Sequence, residues 1–354
     1  YYQHDITDGN SLSRGRVRAL HQSSDGTIWV GTELGGLNKL DPQTGRAIHF
    51  AHDPNSLNSL SDNYVRSIAE DDDGRLWIAT FNGGVSIFYP KAEVWERINS
   101  SQSEVYDLGS NRVRTVFKDQ SGDIWLGTDG GLNLWRPTTK DFLHYVVDLT
   151  NVRSISDNTV FSIFQDKGGV IWVGTFNGIN KWNATVETFP HFKQQSTNPT
   201  GLTSSSISSF AEVSNGDVWI GTFAGLNRWD ESEAKLEALS SDMLGLSDTR
   251  VMSLAIQGKA LWAGTMSGGV NIIENDLVVA THTTDPHDAN SISSNAVSRI
   301  YNDSRGQIWL TTYGGGVNKY LGDGKFKRYP DVTNPYGAFS DLRALDILEA
   351  GDGT

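Results

Sequence analysis

The chain has 354 residues, and its 37% hydrophobic, 20% charged and 10% aromatic content predicts a globular protein and excludes a disordered one. Its net charge of -13 argues against nucleic acid or an anionic membrane as the main partner, because both surfaces repel an acidic protein. It has no cysteine, which excludes disulfides, thiolate metal sites and cysteine nucleophiles and fits an oxidising compartment such as the periplasm.

The first six residues come before the repeated part of the chain. Tyr1, Tyr2 and His4 precede the letters NSLS at 10–13, as His49 and Phe50 precede NSLS at 58–61. We therefore predict that residues 1–6 form a stray outer strand that closes the ring of repeats by joining the last one; closure by the strand Phe326–Tyr329 is the alternative. The chain starts without Met, and no run approaches the ~20 apolar residues of a membrane helix, so we expect a piece of a longer protein.

Seven copies of one pattern follow, from residue 15 to about residue 330. The first copy reads DGTIWVGT at 25–32 and GGLN at 35–38, and every copy centres on a tryptophan. Successive tryptophans are separated by 48, 48, 47, 47, 43 and 47 residues, a period typical of propeller blades. The seven are Trp29, Trp77, Trp125, Trp172, Trp219, Trp262 and Trp309.

Each period predicts four short β-strands and no helix. An apolar alternation such as VRSI at 65–68 precedes a Gly turn, the Trp strand, a second Gly turn and two further strands. Because Ile28 and Val30 alternate with Trp29, both faces of the Trp strand are apolar and each sheet needs cover on both sides. The sequence therefore predicts an all-β fold, a single seven-bladed β-propeller of four-stranded antiparallel blades over residues 1–354.

Four copies place an aspartate three residues before the glycine of the first turn. We expect its carboxylate to accept hydrogen bonds from backbone amides of the hairpin turn. These residues are Asp71, Asp119, Asp166 and Asp303.

The last segment of the chain, residues 340–354, begins the pattern once more. SDLRAL at 340–345 copies the inner-strand segment that starts at Ser13, and DGT at 352–354 stops where an Ile-Trp pair would follow. We therefore predict the start of a truncated eighth repeat and expect further repeats in the full-length protein.

The repeated pattern resembles the two-component regulator propeller repeats found in periplasmic sensor regions of bacterial hybrid histidine kinases and related diguanylate cyclases. The shared pattern is Val-x-Ser-Ile, then Asp-x-x-Gly-x-Ile-Trp-hydrophobic-Gly-Thr, then Gly-Gly-Leu-Asn, and it covers nearly the whole chain. Ala79 and Thr311 replace the Gly before Thr, and the sixth copy shortens its first turn at 257–259. These departures affect local turns only.

The resemblance implies a periplasmic ligand-sensing domain of an inner-membrane receptor. Such regions are similar to tandem seven-bladed propellers that bind an extracellular ligand, often an oligosaccharide, and signal to a cytoplasmic output domain. It implies a domain that is not itself an enzyme and needs no cofactor, with any kinase or cyclase chemistry in the output domain. The expected partners are a glycan or other small polar ligand, further propeller repeats and a membrane-anchored output domain. Nucleic acid is not expected, and a homodimer is left open.

One candidate site consists of the residues just after each Gly-Thr pair. In a propeller these residues lie on the face that carries two kinds of loop: the loop between the second and third strands of a blade, and the loop that leads into the inner strand of the next blade. They are Phe81, Phe176, Phe223 and Tyr313, with Leu34, Asp129 and Met266 in the other copies. Two interpretations are open. The rings could be platforms on which sugars stack, or they could cap the core of the neighbouring blade.

Arginines at the start of the inner strands form the second candidate site. They are Arg18, Arg66 and Arg114, with Arg112 and Arg250 (and Arg16) just before the same strands. A basic funnel in an acidic protein would suit a ligand that carries carboxylate or sulfate, because Arg binds such groups in a bidentate manner. The other interpretation is pairing with loop acids such as Asp62, Asp157 and Asp248.

The sequence shows no catalytic triad, phosphate-binding loop or metal-ligand spacing, so we expect no catalytic or metal residues. An enzyme remains the main alternative, because streptogramin lyases have a similar blade motif and act through a histidine at the central mouth. The histidines in suitable segments are His52, His191, His282 and His287. A protein-binding scaffold is the third alternative, which a large exposed apolar patch on one face would favour.

Overall fold

The computed structural model describes residues 2–100, 108–151, 153–182, 191–192, 201–240, 244–329, 344–347 and 349. Over these residues 28 β-strands form seven four-stranded antiparallel sheets, each with its strands in chain order. This confirms the predicted fold class, a seven-bladed β-propeller. Among the described residues, no helix has the length and apolar character needed to cross a membrane.

The blades are numbered in chain order, and the strands of each blade are called first to fourth. Blade 1 has β1 (Val17–Gln22), β2 (Ile28–Thr32), β3 (Leu37–Leu40) and β4 (Ala47–Phe50); blade 2 has β5 (Val65–Glu70), β6 (Leu76–Thr80), β7 (Val85–Tyr89) and β8 (Val94–Ile98); blade 3 has β9 (Val113–Lys118), β10 (Ile124–Thr128), β11 (Gly131–Arg136) and β12 (Asp141–Tyr145); blade 4 has β13 (Val160–Gln165), β14 (Ile171–Thr175), β15 (Gly178–Trp182) and β16 (His191–Phe192). Blade 5 has β17 (Ile207–Glu212), β18 (Val218–Thr222), β19 (Gly225–Asp230) and β20 (Lys235–Ser240); blade 6 has β21 (Val251–Gln257), β22 (Ala260–Thr265), β23 (Val270–Glu274) and β24 (Leu277–His282); blade 7 has β25 (Val297–Asn302), β26 (Ile308–Thr312), β27 (Gly316–Gly322) and β28 (Lys325–Tyr329).

The chain divides into two compact units. Residues Tyr1–His191 hold blades 1 to 4 up to the first residue of β16, and Phe192–Glu349 hold the rest of that strand and blades 5 to 7. Residues 2–6 belong to none of the sheets, and Tyr1 lies outside the described residues. The ring-closing role of residues 1–6 therefore stays a prediction. Most of residues 340–354 also lie outside the described part.

The second strand of each blade is buried on both faces, as the sequence predicts. In β6, Leu76, Trp77 and Ile78 are all fully buried. Trp77 belongs to a core cluster with Val116 and Leu126 of blade 3, so its ring fills the space between two sheets. Trp29, Trp125, Trp219 and Trp262 likewise belong to clusters that contain residues of the following blade in their own unit.

The predicted aspartates bind backbone amides and also fix the tryptophans. The Asp119 carboxylate accepts hydrogen bonds from the amides of Ser121 and Asp123, both at 2.9 Å, and from Nε1 of Trp125 at 2.8 Å. The same indole bond joins Trp77 to Asp71, Trp172 to Asp166 and Trp309 to Asp303. One carboxylate therefore ties the turn to the buried ring in four blades, and the bond to the ring is not apparent from the sequence.

A second repeated network ties the entry of six blades to their second and third strands. In blade 1 the Oδ1 atom of buried Asn38 accepts from the Ser13 amide (2.8 Å), and the Ser13 hydroxyl lies 3.2 Å from Oγ1 of Thr32. Equivalent bonds to the amide before the first strand come from Ser86, Asn180, Asn227, Asn271 and Asn318. The Thr of Gly-Thr and the Asn of Gly-Gly-Leu-Asn are thus architectural residues.

Two arginines pin the loops that lead into blades 2 and 7. In β8, Arg97 donates to carbonyl oxygens of loop 53–60, including those of Ser59 (2.8 Å) and Ser56 (2.7 Å). In β28, Arg328 donates to the matching carbonyls of loop 285–292. Each guanidinium therefore satisfies several backbone acceptors that would otherwise rely on water.

Replacing Asp303 with Asn should destabilise the protein in a pH-dependent way. Burial alone would raise the pKa of Asp303, but hydrogen bonds from Trp309, Gln307 and Arg305 outweigh it and lower the pKa from 3.8. A lowered pKa adds stability that is fully present above the unfolded-state pKa and is lost as the pH falls through the folded-state pKa. At pH 7 we expect Asp303→Asn to cost about 1–2 kcal/mol of unfolding free energy in urea titrations.

The difference from wild type should begin to shrink below about pH 4, where the unfolded state takes up a proton, and should vanish below the lowered pKa of the folded state, where the carboxylate is protonated in both states. Asp323→Asn, at an exposed turn of the same blade, is the control and should change little. A cost for Asp303→Asn that is independent of pH would contradict the role given to its charge.

Replacing His49 with Arg should stabilise blade 1. His49 in blade 1 occupies the position that Arg97 occupies in blade 2: His49 pairs with Asn38 across the sheet, and Arg97 pairs with Ser86. The His49 ring makes one hydrogen bond to the loop before blade 1, to the Ser11 carbonyl. An arginine there would reach the additional carbonyls, with a gain of about 0.5–1.5 kcal/mol in unfolding free energy. The reverse change, Arg97→His, should lower the denaturation midpoint. If His49→Arg left the midpoint unchanged while Arg97→His lowered it, the two loops would not be equivalent.

Candidate functional site

The first strand of every blade has a β-bulge at the same place. In blade 2, Val65 pairs with Thr80 and Ser67 with Ala79, so Arg66 is an extra residue between them. A bulge turns one side chain out of the regular alternation, which makes it a common way to aim a functional residue. The bulged residues are Arg18, Arg66, Arg114, Phe161, Ser208, Met252 and Ser298.

A backbone hydrogen bond brings two further positions to each bulge. The amide after Gly-Thr donates to the carbonyl of the residue just before the first strand, as Phe81 does to Tyr64 (3.0 Å). The same bond occurs in all seven blades. In blade 1 the donor is Glu33, which corrects the prediction of Leu34 for this position, because Leu34 lies one residue further into the turn.

The first unit brings five of these residues into one cluster of alternating arginines and aromatic rings. The guanidinium of Arg66 lies 5.9 Å from the Tyr64 ring centre and 5.7 Å from that of Phe81. Arg18 lies 5.6 Å from the same Tyr64 ring, and Arg112 lies 5.3 Å from the same Phe81 ring. We call Arg18, Tyr64, Arg66, Phe81 and Arg112 the arginine–aromatic cluster. Its cation–π contacts fix the planes of the guanidinium groups.

Two more aromatic residues lie beyond the cluster in blade 4. Arg114 lies 4.7 Å from the ring centre of Phe161, and that ring is 6.3 Å from the ring of Phe176. Phe176 is 60% exposed, so its ring is available to a ligand and does not cap a core. In blade 2, by contrast, Phe81 packs on Tyr64 with ring centres 5.0 Å apart.

Most of the predicted arginines are paired with acids. Glu33 contacts Arg18 at 3.2 Å and Arg16 at 3.5 Å. Asp129 contacts both Arg112 (3.8 Å) and Arg114. The pairing interpretation therefore holds for these residues, with Glu33 and Asp129 as partners in place of Asp62 and Asp157.

Arg66 differs from the other predicted arginines because, among the described residues, no acid pairs with it. Burial lowers the pKa of the Arg66 guanidinium, and the nearby charges of Arg114 and Arg18 lower it further, against an opposing effect of Tyr64. Its positive charge is thus partly removed from water and surrounded by other positive charges. An anion placed there would relieve both effects.

The second unit holds the remaining predicted residues. Arg250 contacts Asp248 at 3.3 Å, as the pairing interpretation predicts, and donates to Ser267 at 3.0 Å. Phe223 is 46% exposed and Tyr313 is 48% exposed.

Tyr64 and Phe161 are members of the site that the sequence interpretation missed. Phe161 occupies the bulge position held by Arg18, Arg66 and Arg114 in the first three blades. Tyr64 occupies the position held by Arg112 in blade 3. An alignment of the seven copies on the first residue of each first strand would have revealed both, since their positions match although their residue types differ.

Two of the four histidines that could serve a lyase, His52 and His282, are engaged in other contacts. His52 contacts the Leu60 carbonyl through Nδ1 at 2.8 Å, and His282 lies among Trp262, Tyr320 and Phe326, where burial lowers its pKa. His287 is exposed in the loop before blade 7, and the side chain of His191 lies outside the described residues. Within the described part of the chain, no group of three or more His, Asp or Glu side chains could hold a metal ion.

Several solved structures share this fold. The extracellular domain of the putative hybrid two component system BT3049 from B. thetaiotaomicron superimposes with a TM-score of 0.54 at 22% identity, over 93% of this chain and 48% of that one. Virginiamycin B lyase from Staphylococcus aureus gives 0.52 at 12% identity, over 74% and 83%. The computationally designed Ika8 protein gives 0.61 at 16% identity, over 98% and 96%. These are likenesses of fold, and the chain spans about half the length of the first of them.

The repeats themselves identify the family. No curated protein matches the chain. The two component regulator propeller profile matches residues 11–33, 59–82, 107–130, 154–177, 201–224 and 291–314, which are six of the seven repeats. Each match ends within three residues after a Gly-Thr or equivalent pair, so the matched residues are those that build the first two strands of a blade. The chain therefore belongs to the two component regulator propeller family.

Proposed function

We propose that this propeller is the ligand-sensing domain of an extracytoplasmic bacterial receptor, and that it binds a small anionic glycan at the arginine–aromatic cluster. The observation that carries the proposal is Arg66. Its guanidinium has no acidic partner among the described residues, and it lies between the rings of Tyr64 and Phe81 in a protein with a net charge of -13. A carboxylate or sulfate would supply the missing partner in bidentate geometry.

The surroundings of Arg66 support a ligand with both an anionic group and a ring. Its cation–π contacts hold the guanidinium plane in place, so little side-chain entropy is lost when an anion binds. The exposed ring of Phe176 offers a surface on which a sugar ring could stack. An acidic oligosaccharide combines these two features.

The receptor context is supported by the family and by the fold. The repeats belong to the two component regulator propeller family, and BT3049 carries the same fold in a protein described as the extracellular domain of a hybrid two component system. The proposed location is therefore outside the cytoplasm, and the proposed partners are a membrane-anchored output domain and further repeats. The domain itself is proposed to be non-enzymatic. A lyase would need a histidine at the cluster, and among the described residues the cluster contains none.

Replacing Arg66 with Ala should weaken the binding of anionic oligosaccharides. A hydrogen-bonded charge pair contributes about 1.5–3 kcal/mol, so we expect the dissociation constant to rise by roughly 10- to 100-fold. The measurement is calorimetric titration after a thermal-shift screen of sulfated, uronate-bearing and neutral oligosaccharides of matched length. Phe176→Ala should weaken binding less, and Arg250→Ala, at a guanidinium that Asp248 already neutralises, should leave it unchanged. Binding that ignores both Arg66→Ala and Phe176→Ala would overturn the proposed site.

Replacing Glu33 with Gln should have the opposite effect and strengthen anion binding. Glu33 neutralises Arg16 and Arg18, and Arg18 shares the Tyr64 ring with Arg66. Removal of its charge takes away the acidic partner that Arg18 has among the described residues, so the dissociation constant should fall and its dependence on salt should become steeper. Weaker binding in Glu33→Gln would indicate that Glu33 itself contacts the ligand.

A further inference from the structure

Residues 344–347 and 349 follow the last complete blade and lie against blade 7. They belong to none of the seven sheets. The Ala344 amide donates to the Thr312 carbonyl at 3.1 Å, and the Ala344 carbonyl accepts from Oγ of Ser298 at 2.5 Å. Five residues further on, the Glu349 carboxylate accepts from the amide of Ser304 (2.6 Å) and from its hydroxyl (2.7 Å). Both ends of the segment are therefore fixed to blade 7.

The Glu349 contact repeats one that joins two complete blades. In the first unit, the Glu70 carboxylate accepts from the amide of Ser24 (2.6 Å) and from its hydroxyl (2.9 Å). Ser24 lies in the first turn of blade 1, and Glu70 is the last residue of the first strand of blade 2. Ser304 lies in the matching turn of blade 7. Glu349 therefore contacts blade 7 in the same way as the last residue of a first strand contacts the preceding blade.

The Ala344 contact also has a counterpart between complete blades. Oγ of Ser208, the bulged residue of blade 5, donates to the carbonyl of Val251 at 2.7 Å. Val251 begins the first strand of blade 6, and Ser298 is the bulged residue of blade 7. Ala344 therefore matches the beginning of a first strand and Glu349 matches its end, five residues apart, as Val65 and Glu70 are in β5.

An ion pair joins blade 7 to Asp346, which lies between Ala344 and Glu349, and distinguishes blade 7 from the other blades of its unit. Nε of Arg299 lies 3.5 Å from Oδ1 of Asp346. At the position of Arg299, blade 6 has Ser253, whose hydroxyl accepts from the Ile300 amide of blade 7 at 2.9 Å. The position thus contacts the next first strand in both blades, through a hydroxyl in blade 6 and through an ion pair in blade 7.

From these contacts we infer that residues 344–347 and 349 belong to the first strand of an eighth repeat, docked on blade 7 in the register that β5 takes on blade 1 and β21 takes on blade 5. The surface of blade 7 formed by Ser298, Arg299 and Ser304 is then an interface for that repeat. The partner that fits it is a strand with an acid at its third position and a glutamate at its sixth, as Asp346 and Glu349 provide.

Hydrogen exchange of the complete chain tests this inference. In Glu349→Ala the Ser304 amide loses its acceptor, so the peptide that spans residues 303–307 should exchange roughly tenfold faster or more. The matched control is Glu70→Ala, which should accelerate exchange of the turn at 23–27 and leave 303–307 unchanged. Acceleration at 23–27 in the control, without acceleration at 303–307 in Glu349→Ala, would overturn the inference.

A charge exchange gives a second readout that does not depend on Glu349. Asp346→Arg places two positive charges together and should also accelerate exchange at 303–307, and the added change Arg299→Asp should restore protection. If Asp346→Arg has no effect, or if the double variant stays unprotected, the docking of this strand is contradicted. Neither outcome depends on ligand binding at the arginine–aromatic cluster.

Discussion

The structure depends on second strands that are apolar on both faces. A strand with Trp77 on one side and Leu76 and Ile78 on the other cannot be stable in a sheet with one face in water, so each sheet needs a neighbour. The tryptophans fill the space to the following blade within each unit. Because a misplaced indole would leave both a cavity and a buried donor, four blades fix the ring with an aspartate and blade 1 fixes it with Ser23.

Residues that build the blades can be told apart from residues that could bind a ligand by comparing their contacts from blade to blade. The Trp, the Gly-Thr pair, the third-strand Asn and the turn Asp each make the same contact in several blades, and this repetition reports packing. The positions around the bulge are held by a repeated backbone bond, yet their side chains vary from blade to blade. A rigid sheet thus presents a variable residue at a fixed place, which is how a repeat array acquires a specific binding surface.

The backbone was largely predictable from sequence, because the period, the turn glycines and the alternation of apolar residues are local signals. The bonds from Asp to the amides of the turn were predictable for the same reason. The indole bond was not, although its residues are six apart, because it depends on which way the two side chains point across the hairpin. The acids that pair with the arginines and the places of Tyr64 and Phe161 were not, since they depend on distances between residues on different strands. The sequence prediction chose Leu34 for the position after Gly-Thr in blade 1. The backbone hydrogen bond from Glu33 to Arg16 shows that Glu33 holds this position.

The central claim is that the guanidinium of Arg66, which has no acidic partner among the described residues, is the group that receives an anion. The most direct measurement is an NMR titration of the arginine Nε–Hε resonances with a sulfated disaccharide, assigned through single Arg→Lys variants. The account predicts that the Arg66 resonance shifts first and saturates, while that of Arg250, paired with Asp248, does not move. A titration in which Arg66 is unaffected, or in which all arginines shift weakly and without saturation, would contradict it.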